Sequence, residues 1–131
     1  MKTKLFTIIM IVLLAACSQN NSNLTASQML LGEWMEIKTS VYDNDVRITF
    51  NNDGSLFYSE KANSSVTWGG VYKTFAYIVK NNMLFLSYHA QIVSEEDFSF
   101  ESTFEIKDNI LYLSNFSLDG KNFRSIELSR M

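Results

Sequence analysis

The 131-residue chain holds one histidine and one cysteine, and that scarcity bounds its chemistry. Triad-type catalysis needs a base beside a nucleophile. His89 is the only imidazole on offer. It sits between Tyr88 and Ala90 in a β-rich stretch and reads as a rim or surface residue. A lone histidine without a thiol partner builds no zinc site. Glu95-Glu96-Asp97 gathers carboxylates in a turn, but a calcium loop would interleave Asp, Asn and Gly at ordered spacing. The run reads as a solvated acidic turn. Asn51-Asn52-Asp53-Gly54 offers similar oxygens, yet its length and composition are those of a hairpin turn. Gly-x-Ser-x-Gly, His-Glu-x-x-His and phosphate-loop patterns do not occur. The expectation is a protein that is not an enzyme and uses no metal and no cofactor.

Cys17 has a different chemistry. Lys2 and Lys4 precede the ten-residue, largely apolar run 5–14, which leads into Leu14-Ala15-Ala16-Cys17. A basic start, a short apolar stretch and small residues before a cut site make an export signal. A membrane-spanning helix needs about 20 apolar residues, so the run is too short to be a stable anchor. Its ending resembles the lipobox of bacterial lipoproteins. That resemblance implies cleavage before Cys17 by signal peptidase II and a diacylglyceryl group on the thiol, so that acyl chains such as palmitate hold the protein to a membrane. Several chains are needed for a firm hold, since each buried CH₂ adds about 0.8 kcal/mol and one chain is marginal. Ser18 follows the cysteine where an aspartate would signal inner-membrane retention, which points to the outer membrane of the cell envelope.

The expected organisation is a signal peptide over 1–16, a lipid-anchored tether over 17–24 and one domain over 25–131. The segment 18–23 is polar and uncharged, as a flexible tether would be. Removing residues 1–16 takes away Lys2 and Lys4, which leaves nine Lys and Arg against 14 Asp and Glu and a net charge of −5. An acidic chain argues against nucleic acid, which needs clustered cations. Ten Phe, six Tyr and two Trp favour strands and a small, dense core, and the lack of proline leaves sheet ladders uninterrupted.

Thr25-Ala26-Ser27-Gln28 fits a capping box, with a helical turn through Met29-Leu30-Leu31 and a stop at Gly32. Beyond it the pattern is strand and turn. Val46, Ile48 and Phe50 alternate with Arg47 and Thr49, and Phe98, Phe100, Phe104 and Ile106 alternate with polar residues, Ser102 being the one weak inward position. Residues 77–87 align with 104–114, each copy placing two turn-type polar residues between β-rich arms. Strands are expected near 33–42, 45–51, 55–60, 66–79, 83–93, 97–107, 110–116 and 121–130. Short links make neighbours antiparallel. Such a meander closes into an eight-stranded up-and-down barrel. A sandwich would need longer crossovers than the chain provides.

Leu31-Gly32-Glu33-Trp34, opening the first strand after a helical turn, resembles the Gly-x-Trp pattern of lipocalins and of small bacterial lipocalin-like lipoproteins. Ile48-Thr49-Phe50 with Asp53-Gly54, Gly70-Val71-Tyr72 and the closing Leu128-Ser129-Arg130 extend the likeness over roughly residues 29 to 130. The resemblance implies that Trp34 plugs the closed end of the barrel and that Arg130 lies across it. It also implies a binding protein for a small apolar or amphipathic molecule, with Trp68, Tyr72, Phe85, Phe98, Phe100 and Tyr112 available to line a pocket. The same aromatics would serve equally to fill the barrel. In that case the protein would be a protein-interaction module of the envelope, an inhibitor or accessory subunit. One feature departs from the pattern: Met35 and Ile37 fall opposite Trp34, while Glu36 and Lys38 share its face. A bulge after Trp34, or another element covering Met35 and Ile37, would account for it.

Overall fold

The computed structural model describes residues 24–41, 43–62 and 70–131. The expected signal peptide, Cys17 and Trp68 lie outside that set. Helix α1 (Ala26–Leu30) is followed by β1 (Gly32–Glu36), β2 (Asp45–Phe50), β3 (Ser55–Lys61), β4 (Val71–Lys80), β5 (Met83–Tyr88), β6 (Phe98–Lys107), β7 (Ile110–Ser117) and β8 (Phe123–Arg130). Each strand pairs antiparallel with the next, and β1 pairs with β8 to close the barrel. No edge is left for another chain to extend.

The capping box forms: Thr25 Oγ1 accepts from Gln28 N and Gln28 Oε1 accepts from Thr25 N. The helix ends at Leu30, and Gly32 starts β1 at φ +114°, a left-handed conformation that favours glycine. Inward positions follow the period of two: Ile48 and Phe50, Leu56 and Tyr58, Leu84 and Leu86, and Leu111 and Leu113 are all buried. Phe75 is the hub of the core. Its ring lies 5.6 to 6.2 Å from those of Tyr88, Phe98, Phe100 and Phe116, and Phe116 stacks on Tyr58 at 5.9 Å.

The repeated segments become the two tight hairpins β4–β5 and β6–β7, with Asp108 and Asn109 both at positive φ. The register of β7 slips between Leu113 and Phe116, where Asn115 takes φ +63°. This bulge explains Ser102. Its side chain is fully buried, and its hydroxyl donates to the carbonyl of Ser114, while Asn115 Nδ2 donates to the Glu101 carbonyl at 2.9 Å. An apolar residue at 102 would leave the bulge carbonyl without its partner. Ser102→Ala should therefore cost about 1–3 kcal/mol in urea melts, the cost of an unsatisfied buried acceptor.

Several strands are shorter than their sequence patterns. β1 ends at Glu36 because Asp43 Oδ2 accepts from the backbone N–H of Thr39 and Ser40 and folds that stretch into a turn. β5 ends at Tyr88 because Asp97 accepts from Ala90 N. β8 starts at Phe123 because Asp119 accepts from Lys121 N and Asn122 N. In each case a loop carboxylate takes the amide protons a sheet would have used. The phase of β1 is regular, without a bulge: Trp34 points in, Met35 is half-buried outside, Glu36 points in, and Ile37 is left 41 % exposed.

The two ends of the barrel differ. The tight turns 51–54, 81–82 and 108–109 lie at the end that α1 covers. The longer connections 37–44, 62–70, 89–97 and 118–122 all leave from the opposite, open end.

Candidate functional site

At the covered end, Trp34 is fully buried and its Nε1–H donates to the Leu30 carbonyl at 2.8 Å. The Arg130 guanidinium carbon sits 4.3 Å above the Trp34 ring. Arg130 also donates to the carbonyls of Leu31, at 3.0 Å, and Met29. The last carbonyls of a helix have no partner within it. Here one indole and one guanidinium supply the donors, so the stacked pair also fastens α1 over the barrel. This end is a seal.

The open end holds a cup of about 420 Å³. Ile37, Val46 and Leu118 form its apolar wall, and Lys38, Thr39, Asp43 and Asn44 its outer lip. Four polar side chains make the floor. Arg124 donates to both oxygens of Glu36, at 2.5 and 3.2 Å. The Tyr58 hydroxyl donates to Glu60 Oε2 at 2.8 Å, and Asn44 Nδ2 donates to Glu60 Oε1 at 2.6 Å. The Arg124 charge also acts on the Tyr58 hydroxyl, so the two pairs lie side by side. Burial, then the Glu60 carboxylate, push the Tyr58 hydroxyl well above the usual phenol range. The paired Glu36 carboxylate raises Arg124 further. The phenol and the guanidinium thus keep their protons across the neutral range.

Beside the cup, Lys73 points inward with its ammonium 4.3 Å above the Tyr88 ring and 3.6 Å from Glu95. The Tyr88 hydroxyl donates to Glu95, which with Lys73 holds that carboxyl below its ordinary range. Asp97 binds Ala90 N and the His89 ring. The acidic run is therefore built into the loop, and among the described residues no group of His, Cys, Asp and Glu is placed to hold a metal ion. Loop 118–122 closes on Phe98: Gly120 takes φ +71°, and a Cβ there would lie 2.8 Å from the Phe98 ring.

Asp119 is the knot of that loop. It accepts from Lys121 N, Asn122 N, Asn122 Nδ2 and Ser117 Oγ, and its carboxyl is held well below the usual range, chiefly by the Asn122 and Lys121 amides. A lowered folded-state pKa adds stability above the unfolded value of about 3.9, and that stability is lost as pH falls through the folded value. The parent should be more stable than Asp119→Asn at pH 7, and the gap should narrow below about pH 4. Urea melts at pH 7 and pH 3 read it directly.

The aromatics proposed to line a pocket part company. Phe98 and Phe100 face the interior: Phe100 belongs to the core, while Phe98 is half-buried against it and lines a second cleft beside Lys73 and Glu95. Tyr72, Phe85 and Tyr112 point outward, a correction to their pocket assignment, because their neighbours Phe75, Leu84 and Leu86, and Leu111 and Leu113 take the inner face. Tyr72 is 57 % exposed and stacks on Phe57 outside the barrel. Trp68 lies outside the described residues. The cup's own floor escaped the sequence reading, although parity marks it: Glu36 shares a face with Trp34, Tyr58 and Glu60 with Leu56, and Arg124 with Ile126 and Leu128.

Comparison with known proteins finds no matching family model, no matching curated protein and no matching solved structure. The site is thus read from its own geometry.

Proposed function

We propose that the chain is a lipid-anchored, lipocalin-like protein of the bacterial envelope that binds a protein partner at its open end, without catalysis. The lipobox-like run at Cys17 supports the anchoring, and the Trp34–Arg130 stack supports the likeness to lipocalins. One observation carries the choice of partner: the barrel's interior is occupied by its own rings around Phe75, while the long connections and the cup gather at one end. An apolar ligand would have to displace that core. Acidic loops such as Glu95-Glu96-Asp97 would speed encounter with a basic protein, and added salt would slow it.

A second reading keeps the small amphipathic ligand, favoured by the apolar wall of Ile37, Val46 and Leu118 and by a cup volume within the usual range for ligand sites. One experiment separates the two. A photo-crosslinking amino acid is placed at Ile37 or Leu118, and for comparison at the outward Tyr112. The cup positions should yield one discrete protein adduct in living cells and Tyr112 none. Equal adducts from all positions, or none from the cup, would overturn the protein-partner reading.

A further inference from the structure

The charge on the cup's floor does not balance. Glu36 is fully engaged by the two-pronged contact from Arg124. Lys38, the other cation lining the cup, reaches instead to Asp45, which is not part of the lining. Asp43 is turned to the amides of Thr39 and Ser40. Glu60 alone is fixed by neutral donors, the Tyr58 hydroxyl and the Asn44 amide, and among the described residues it has no cationic partner. Those donors orient the carboxylate without neutralising it. Each of its oxygens keeps a further acceptor site.

We propose that the cup is a socket for one guanidinium or ammonium group, carried on an Arg or Lys side chain of the protein partner. This rests on the open end being the binding end. A long basic side chain has the two surfaces the cup offers: an apolar stem for Ile37, Val46 and Leu118, and a charged head for Glu60. An anion would meet Glu36, Asp43 and Glu60 together. A purely apolar group would cut Glu60 off from water with nothing to compensate its charge. A cation would give Glu60 the charged partner that Arg124 already gives Glu36. The hydrogen-bonded groups Glu36–Arg124 and Tyr58–Glu60–Asn44 hold that floor in place before the partner arrives, so little ordering remains to be done on binding.

The test uses the full mature protein, purified from membranes in detergent, with methyl-labelled isoleucine, leucine and valine. N-acetyl-arginine amide is titrated against its neutral isostere, N-acetyl-citrulline amide, with methyl shifts read by NMR. The methyls of Ile37, Val46 and Leu118 should shift saturably with the arginine probe and not with citrulline. Glu60→Gln should weaken the response at least tenfold, since Gln keeps an oxygen for Tyr58 but removes the charge, along with the acceptor that Asn44 uses. Glu101→Gln, on the outer wall, should leave it unchanged. No saturable shift, an equal response to citrulline, or an unchanged affinity in Glu60→Gln would overturn the socket. Cup-specific protein crosslinks without a response to the arginine probe would leave the binding end standing and remove the cation socket. A response to the probe without crosslinks would do the reverse.

Discussion

Trp34→Ala should cost about 3–5 kcal/mol, the range for emptying a buried large aromatic site. A small domain has only about 5–15 kcal/mol in total, so the variant should melt early. Two effects add here. The cavity opens under α1, and the Leu30 carbonyl loses the indole N–H that satisfied it. Arg130→Ala should cost less, about 0.5–2 kcal/mol for the stacking contact, because its carbonyl partners can turn to water. The pair should be non-additive, since without the indole Arg130 has no ring to lie across. Denaturant melts of both single variants and the double measure this. A Trp34→Ala cost below about 1 kcal/mol would show that the seal contributes little. Simple additivity would break the link between the two residues.

Cys17→Ser should abolish lipid attachment altogether. The thiol is the acceptor that the lipobox resemblance implies, and a hydroxyl does not replace it. The precursor should stay uncut by signal peptidase II, and fatty-acid labelling should fall to background. Label in the variant equal to the parent would refute the lipoprotein reading. Expressed alone, residues 24–131 should fold with β-type circular dichroism and melt cooperatively, because the strand pairs lie within them. A disordered product would move the domain boundary.

Alternation at positions such as Val46, Ile48 and Phe50 made the barrel legible, because the period of two is a backbone property that needs no knowledge of neighbours. The capping box was legible for a similar reason: Thr25 and Gln28 meet within one turn. The strand ends were not legible. They depend on Asp43, Asp97 and Asp119 reaching back to amides several residues away, and a side chain's choice of amide is made in three dimensions. Phe85 and Tyr112 show the same limit. They are as aromatic as Phe98, and only the claim of Leu84, Leu86, Leu111 and Leu113 on the interior sends them out. Arg124 and Glu36 were hidden by type. A charge on an inward position looks like an error of phase until its partner arrives from a strand 88 residues away.

The pairing of β1 with β8 sets a schedule. Trp34 lies opposite Arg130, so the first strand of the barrel finds its second neighbour only once the eighth strand has been made. Contacts that far apart in sequence form late and slowly. A nascent chain still lacking its C-terminal strand has no closed wall and no lid fastened over Trp34. The register that seals the finished barrel therefore delays closure until β8 has been made, and until then the first strand keeps one edge unpaired.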